Sequence, residues 1–425
     1  MAQTLAINGG TPVRTKPFPP WPYFQPEIIE AAMEPLRTGK PNYWTGPYGR
    51  EFQEQFAAYC GCRYGVAVNS GTSALQVACA AADIGPGDEV ITTCCTFIAS
   101  AMCVIQQNGV PIFCDVEPRY HNLDPAQIAD LITPRTKAII PVHLYGHPCD
   151  MDPIMALARQ HNLIVIEDCA QAHGAEYKGK KVGSLGHIGA FSFCQDKTFT
   201  TGGEGGFVCT NDEVMALKSR TFKDHGFWEE ERRDLLEMES LYLYIHHSLG
   251  FNFRMTEMQA VIGLKCLALL DSWNLPRRAA NAAAITAEIG GAPGVEPPHV
   301  ADWATRGWYK YPITLALEEL TCDRDQFVRA VRAEGYPGAA IGEWPENYRE
   351  EVFTRQQGYG GSHCPFQCPI YTERGGAVDY AQVHMPVAAE LGRRTLKLQV
   401  HPTMEPSDAA DIGQCVRKVA EAYAR

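Results

Sequence analysis

The sequence has 425 residues, of which 45% are hydrophobic and 20% are charged, a composition typical of a folded globular protein with little disorder. Its 37 basic and 49 acidic residues give a formal net charge of −12, which argues against nucleic acids and anionic membranes as partners. We find neither a leader-like N-terminus nor a long apolar run, so we expect a soluble, cytoplasmic protein.

The predicted elements begin with an irregular, proline-rich arm, followed by helices near 26–38 and 49–60. From there on, apolar runs of strand length alternate with segments of helical spacing. The predicted strands are 64–69, 89–94, 110–116, 136–143 and 163–167, and the predicted helices are 71–83, 97–107, 124–131 and 151–161. This alternation predicts a mostly parallel sheet covered on both faces, with ligands bound beyond the carboxyl ends of the strands.

The second half of the chain is richer in strands at first and then divides in two. We predict strands at 189–194 and 205–210, a long helix at 255–273, and two strand–helix units, 309–317 with 323–335 and 395–403 with 406–424. Pro276 and the turn-rich segment 290–299 indicate a boundary. We therefore predict an α/β protein with an arm and large domain over 1–275 and a small α+β domain over 276–425. Segment 228–248 is either a solvated helix, which we favour, or a loop over the active site.

The 16 cysteines are scattered through apolar runs and form no CxxC pair, a pattern typical of buried thiols in a reducing compartment. Cys364 and Cys368 stand beside His363, but no second pair of similar spacing accompanies them. We therefore predict no metal site.

Lys197 follows a strand of buried character, GAFSFC, and precedes four glycines within nine residues. Most lysines are solvated surface groups, but this strand leads to the rim of the sheet, and glycines let the backbone fold closely around a ligand. A partly desolvated lysine is a nucleophile that forms an imine with pyridoxal phosphate. The sequence therefore offers Lys197 as a cofactor-bearing lysine.

Such a lysine needs an acid for the pyridine nitrogen, a phosphate cradle and a face for the ring. Asp168, directly after the strand LIVIE, is the candidate acid, although strand-end aspartates also cap turns. Gly71 and Thr72, in the segment SGTSAL, begin a helix whose free amides suit a phosphate, with a plain N-cap as the alternative. Ser192 adds a hydroxyl to the phosphate site, and Phe97 either stacks on the ring or belongs to the core.

Seven segments, in order, closely resemble the DegT/DnrJ/EryC1/StrS aminotransferase family. They are VAVNSGTSAL, GPGDEVITTCCTFIASA, DVEPRYHNLDP, TKAIIPVHLYGHPCDM, VIEDCAQAHGA, GAFSFCQDKTFTTGGEGG and FNFRMTEMQA. The resemblance covers nearly the whole chain. It implies pyridoxal 5′-phosphate as cofactor, the aspartate aminotransferase-like fold of fold-type I enzymes, and a homodimer.

The same resemblance implies a role for each matching residue. Lys197 matches the cofactor-bearing lysine, Asp168 the partner of the pyridine nitrogen, and Phe97 the aromatic stacked on the ring. Further matches are Gln171 close to the ring, and Gly71, Thr72 and Ser192 at the phosphate. Asn252 matches a phosphate contact from the neighbouring subunit, which implies active sites shared across a dimer.

The reaction implied is amino transfer from an amino acid, glutamate or glutamine, to a keto-sugar or keto-cyclitol, in the biosynthesis of an amino sugar, surface glycan or antibiotic. Relatives that dehydrate sugars replace the lysine by histidine, so Lys197 favours transamination. The alternatives are a pyridoxal-phosphate dehydratase or lyase similar to aminohydroxybenzoate synthases, and a cofactor-binding regulator. The full set of Lys197, Asp168 and Thr72 disfavours the regulator, and the chain lacks a basic DNA-binding segment.

The acceptor is less well indicated than the reaction. Many nucleotide-sugar members carry a histidine in the first strand of the small domain, where this chain has WYKY at 308–311. This version resembles members that act on less usual sugars or cyclitol ketones. Tyr309 and His401 are candidates for substrate contact, and we expect Lys310 to be a solvated strand lysine. His173 and His225 fit a structural role better than a substrate contact.

Overall fold

A computed structural model describes residues 4–229, 231–232, 246–342 and 345–425 of the chain. Its strands are β1 Tyr64–Val68, β2 Glu89–Thr93, β3 Val110–Cys114, β4 Thr136–Ile140, β5 Ile164–Asp168, β6 Glu176–Tyr177, β7 Lys180–Lys181, β8 Ile188–Ser192, β9 Gly206–Thr210, β10 Val295–Glu296, β11 Ala304–Thr305, β12 Lys310–Leu315, β13 Ala340–Ile341 and β14 Thr395–Gln399. Within these residues, no helix is both long enough and apolar enough to cross a bilayer.

The helices alternate with the strands in the first half of the chain and then cluster around a second sheet. They are α1 Pro26–Arg37, α2 Tyr48–Cys60, α3 Gly71–Ala81, α4 Ala99–Gln106, α5 Pro125–Leu131, α6 Met151–His161, α7 Glu213–Lys223, α8 Glu257–Ala268, α9 Leu275–Ile289, α10 Arg324–Ala333, α11 Glu351–Thr354, α12 Pro369–Thr372, α13 Pro386–Arg394 and α14 Pro406–Tyr423. Short 3-10 turns and one π-helical turn, Leu270–Asn274, connect several of them.

The large sheet has seven strands in the order β1-β9-β8-β5-β4-β2-β3. The pairings β2–β3, β2–β4, β4–β5 and β5–β8 are parallel, and only β9 runs antiparallel to its neighbours β1 and β8. The carboxyl ends of β1, β2, β5 and β8 therefore lie along the same edge. The predicted mostly parallel sheet is confirmed.

Alternating apolar side chains along the strands fill a core on each face of this sheet. Val66, Ile140 and Ile166 belong to one cluster, which α3 and α4 cover. Their chain neighbours face the opposite way, with Ala67 and Val165 in separate clusters on the other face. Burial on both faces explains why these strands read as continuous apolar runs in the sequence.

The second sheet has four antiparallel strands in the order β10-β12-β14-β13. Its core is formed with α9, α10 and α14, and it includes Leu5 from the N-terminal arm. A different part of the C-terminal half, with Tyr348, Phe353 and Tyr371, packs against Phe113 of the large sheet. The predicted strand–helix units β12–α10 and β14–α14 are present, and the division at residue 275 stays a prediction.

Several boundaries differ from those predicted. The helix predicted over 255–273 ends at Ala268, and α9 continues through the segment where Pro276 indicated a break. Pro276 lies in the first turn of α9, where its missing N–H has no helical partner to lose. α7 was not predicted. Much of segment 228–248, whose role was left open, lies outside the described residues.

Candidate active site

An open cavity of about 410 Å³ lies at the edge where β1, β2, β5 and β8 end. Of the ten residues selected from the sequence, eight line its wall: Gly71, Thr72, Phe97, Asp168, Gln171, Ser192, Lys197 and Tyr309. The wall includes neither Asn252 nor His401. The structure therefore brings together residues that are up to 238 positions apart in the chain, from Gly71 to Tyr309.

The N-terminus of α3 forms one wall of the cavity. Ser70 caps the helix by accepting a 3.1 Å hydrogen bond from the backbone N–H of Ser73. The preceding amides of Gly71 and Thr72 belong to the first turn, whose N–H groups have no partner within the helix. A Cβ at Gly71 would lie 2.5 Å from the Cβ of Ser192, so only glycine lets α3 approach the end of β8 this closely.

Asp168 ends β5 with its side chain on the cavity wall, although the residue is only 4% exposed. Its carboxylate accepts hydrogen bonds from the Ser100 hydroxyl at 2.7 Å and from the backbone N–H of Ala170 at 3.0 Å. Burial raises the pKa of Asp168 above its ordinary value, while both donors and the nearby Lys197 partly oppose the shift. A buried acid held in this way is a suitable partner for a cationic ring nitrogen.

Gln171 holds the backbone beside the cavity. Its Oε1 accepts a 3.0 Å hydrogen bond from the N–H of Tyr145, which adopts a left-handed conformation with φ 54°. Such a φ is unfavourable for a residue with a bulky side chain, so the bond from Gln171 supports a strained position.

Lys197 lies half-buried in a turn after β8, where its N–H donates to the carbonyl of Cys194. Its Nζ is 4.8 Å from the centre of the Tyr309 ring, close enough for a cation–π contact. Its carbonyl accepts a 3.2 Å hydrogen bond from Nε1 of Trp21 in the N-terminal arm. Trp21 of the arm therefore holds the backbone of Lys197, and Tyr309, directly before β12, contacts its side chain.

Lys310 was expected to be solvated, and that expectation was wrong. The residue is 3% exposed, because β12 pairs with β14 and places Lys310 opposite Gln399. Its Nζ donates to Gln399 Oε1 at 2.9 Å and lies 3.5 Å from a carboxylate oxygen of Asp196. Burial lowers the pKa of Lys310 to about 8, although Asp196 opposes this shift.

Arg278, on the first turn of α9, was missed in the sequence although it joins three segments around Lys197. It is buried and donates to Asn274 Oδ1 at 2.7 Å, to the Trp308 carbonyl at 3.2 Å and to the Thr198 carbonyl at 3.2 Å. Two of its partners are main-chain carbonyls, which every residue has, so no acidic residue in the sequence points to Arg278 as a buried hydrogen-bond donor. Asp196 and Lys397, which also line the cavity, carried no sequence signal either.

The remaining candidates occupy different positions. Phe97 is 63% exposed and precedes α4 by two residues, so it neither opens that helix nor belongs to the core. Asn252 is exposed and pairs through its backbone with Asp224. His401 is buried and stacks on Trp21, with ring centres 6.1 Å apart.

The two other histidines considered lie outside the cavity wall. His173 is fully buried among Phe191, Phe193 and Phe199, and burial lowers its pKa to about 3. His225 pairs with Asp224, with 2.8 Å between Nδ1 and Oδ1. The structural role expected for these two histidines stays a prediction.

His143, Glu167 and Cys169 form a fully buried cluster beside Asp168 whose ligand atoms lie within 4.8 Å of one another. Nδ1 of His143 accepts from the N–H of Cys149 at 2.9 Å, so Nε2 carries the proton shared with Glu167 at 3.0 Å. Glu167 also accepts three backbone N–H groups, from residues 183, 185 and 186. Because these hydrogen bonds connect Glu167 to His143 and to the backbone of residues 183–186, the cluster stabilises the end of β5.

Comparison with known proteins connects this site to a family. Residues 22–374 match the DegT/DnrJ/EryC1/StrS aminotransferase family. A GDP-perosamine synthase from Caulobacter vibrioides is 44% identical over 297 residues, which cover 69% of this chain and 76% of that protein. An L-glutamine:2-deoxy-scyllo-inosose aminotransferase from Streptomyces paromomycinus is 36% identical over 99% of this chain and 98% of its own.

A solved structure agrees with the sequence relatives. An aminotransferase from Psychrobacter cryohalolentis superimposes with a TM-score of 0.83 and 40% sequence identity, covering 94% of this chain and 98% of that one. With this coverage and TM-score, the expected fold is confirmed. This chain belongs to the DegT/DnrJ/EryC1/StrS aminotransferase family, and it is a pyridoxal-phosphate-dependent aminotransferase of fold type I.

Proposed function

We propose that this enzyme transfers an amino group from glutamine or glutamate to a keto-sugar or keto-cyclitol, with Lys197 as the residue that binds pyridoxal phosphate covalently. The observation that carries the proposal is the convergence of Lys197, Asp168 and the N-terminus of α3 on one cavity. Each feature alone is common in proteins, but this cofactor requires the three together.

The residues present fit the cofactor. The first-turn amides of α3 and the Ser192 hydroxyl offer donors to a phosphate, and the contact between Gly71 and Ser192 leaves no room for a side chain in that cradle. Asp168 offers a buried carboxylate to the pyridine nitrogen. A volume of about 410 Å³ lies in the range of small-molecule sites.

When bound, pyridoxal phosphate supplies an electron-withdrawing ring that stabilises negative charge on the carbon next to the transferred nitrogen. The Asp168 carboxylate would hold a proton on the ring nitrogen. Lys197 Nζ, when it is free, would act as the base that takes the proton from the donor α-carbon and as the acid that gives a proton back during the transfer. Tyr309 and Trp21 hold this lysine near its position while it moves protons.

The choice of donor and acceptor rests on the relatives. The name of the relative from Streptomyces paromomycinus specifies glutamine as the donor and a ketocyclitol as the acceptor. The name of the relative from Caulobacter vibrioides specifies an amino sugar attached to GDP. Tyr309 and Lys397 on the cavity wall, with the buried Lys310 behind Tyr309, are the groups we assign to acceptor recognition.

Asn252 is exposed in one chain and lies outside the cavity wall. We propose that a second copy of the chain brings its Asn252 to the phosphate, so that the working enzyme is a homodimer with shared sites. Mixing Lys197→Ala and Asn252→Ala variants tests this, since mixed dimers contain one intact site and regain part of the activity. If sites are not shared, mixing restores no activity.

The test of Lys197 combines chemistry and spectroscopy. Borohydride reduction of the holoenzyme and peptide mapping should find the cofactor attached at Lys197, and Lys197→Ala should lose at least about a hundredfold in turnover. Lys265→Ala, an exposed lysine on α8, is the matched control. An adduct at another residue would refute the assignment.

A second experiment identifies the acceptor and separates transfer from elimination. Enzyme loaded with the amine form of the cofactor is mixed with keto-sugars and keto-cyclitols while the cofactor absorbance is followed. A true acceptor restores the aldehyde form and, when the amine form has been prepared with glutamine labelled at its α-nitrogen, acquires that ¹⁵N. Product lacking the label would favour the dehydratase or lyase reaction instead.

A further inference from the structure

A second cavity, of about 220 Å³, lies between the loop that follows β3 and the segment that leads into β12. We name it the Arg306 cavity after its buried arginine. Its polar lining residues are Arg119, Tyr120, His121, Glu296, His299 and Arg306. Four prolines and Thr314 complete the wall, and none of these residues lines the first cavity. Because prolines lack an N–H, side chains supply most of the donors here.

Arg306 is an unusually placed cation. It is 7% exposed, its Nη1 donates to the carbonyl of His299 at 3.3 Å, and its guanidinium carbon lies 5.0 Å from the centre of the Trp308 ring. Its Nε is buried with no hydrogen-bond partner, and the described part of the chain provides no carboxylate that pairs with it. Burial lowers the pKa of Arg306 to about 10.

A buried guanidinium without a counter-ion is unfavourable, and an oxyanion bound in the cavity relieves the uncompensated charge through charge-assisted hydrogen bonds. Arg119 and His299 are exposed and line the same cavity, where they add positive or donor groups. Glu296 is the opposing charge, but it is exposed at the rim and forms no ion pair with Arg306 within the described residues.

We propose that the Arg306 cavity binds a phosphoryl group. Two arginines lining so small a space suit a doubly charged phosphoryl group better than a carboxylate. His121 adds no positive charge, because burial lowers its pKa to about 3. The site is connected to the reaction centre along the chain, since Arg306 precedes Tyr309 by three residues and Tyr309 lines the first cavity. The phosphoryl group belongs either to the acceptor or to free phosphate.

Binding is tested on the holoenzyme by calorimetric titration with inorganic phosphate and with diphosphate at constant ionic strength. We expect binding that Arg119→Ala weakens about tenfold, the effect of losing one charge-assisted contact. Arg306→Lys keeps the charge but loses the planar guanidinium group, and it should weaken phosphate binding by a similar factor. Arg355→Ala, an exposed arginine paired with Glu351, should leave the affinity unchanged. Absence of binding, or equal affinity in all variants, would overturn the proposal.

Kinetics distinguish the two sources. If the acceptor carries the group, Arg119→Ala raises KM for a nucleotide-diphosphate keto-sugar, and inorganic phosphate competes with that substrate. If the ligand is free phosphate, the acceptor KM stays constant while phosphate still binds. Because the titration needs no turnover, it gives its answer even if the proposed reaction proves wrong.

Discussion

The hydroxyl of Tyr309 donates a 2.6 Å hydrogen bond to the carboxylate of Asp196, the residue directly before Lys197. Burial raises the pKa of Asp196, but Lys197, the Tyr309 hydroxyl and Lys310 together bring it below its ordinary value. Asp196 therefore stays ionised and ties the turn that carries the lysine to the second sheet. The same tyrosine places its ring beside Nζ of Lys197.

Removing the Tyr309 hydroxyl should affect the position of Lys197, and therefore kcat, more than the stability of the fold. A hydrogen bond to a charged group contributes about 1.5–3 kcal/mol, and since Asp196 is half-exposed we expect Tyr309→Phe to lower kcat only about three- to tenfold. Tyr311→Phe is the control, because that buried hydroxyl, on the same strand, bonds Thr286 at 2.7 Å instead. Equal kcat values in the two variants would contradict a positioning role for Tyr309.

Gly71→Ala tests the close approach of α3 to β8. The new Cβ would lie 2.5 Å from the Cβ of Ser192, so the helix must move, and we expect a loss of about 1–3 kcal/mol in the free energy of unfolding. Cofactor affinity should fall as well, because the displaced amides belong to the cradle. Gly85→Ala is the matched control, since no atom lies within 4 Å of a Cβ there.

The double variant Gly71→Ala/Ser192→Gly separates crowding from other effects. Removal of the Ser192 side chain eliminates the two nearest contacts and leaves its Cα 3.1 Å from the new Cβ, so the apoprotein should recover part of its lost stability in chemical denaturation. Cofactor affinity should stay low, because the hydroxyl offered to the phosphate is gone. If Gly71→Ala proves as stable as Gly85→Ala, the contact is not the reason for glycine at this position.

How much the sequence reveals depends on the kind of interaction. The strands were predictable because burial on both faces leaves apolar runs, and Asp168 was predictable because it follows such a run. The burial of Lys310 was not, because it depends on pairing with a strand 89 positions away, at Gln399. Arg278 was missed because it binds main-chain carbonyls, which every residue has.

Arg278→Lys should destabilise the fold around Lys197. Lysine keeps the charge but lacks the planar guanidinium group, so it cannot donate hydrogen bonds to Thr198, Trp308 and Asn274 at the same time. With buried acceptors left unsatisfied, we expect a loss of about 2–4 kcal/mol in chemical denaturation. Arg329→Lys, at an exposed position of α10, should stay within about 0.5 kcal/mol of the wild type. A similarly small effect at Arg278 would show that its hydrogen bonds contribute little.

Asp168→Asn should change how the stability of the apoprotein depends on pH. Because the folded pKa of Asp168 is raised, its contribution favours folding below the unfolded pKa and is lost as the pH rises through the folded pKa. Asparagine does not titrate, so the unfolding free energy of the variant minus that of the wild type should become more positive as the pH rises above about 4, the ordinary pKa of an aspartate. Urea unfolding at several pH values measures this difference.

Ser100→Ala provides a second test of the Asp168 carboxylate, because it should shift the pKa of that group in a predicted direction. The Ser100 hydroxyl donates to Asp168 and opposes the effect of burial on its pKa, so its removal should raise that pKa further. The loss of stability with rising pH should then extend to higher pH than in the wild type, while the double variant with Asp168→Asn should show no such extension. A pH dependence that is the same in the wild type and in Asp168→Asn would mean that Asp168 is not a titrating group of the apoprotein in this range.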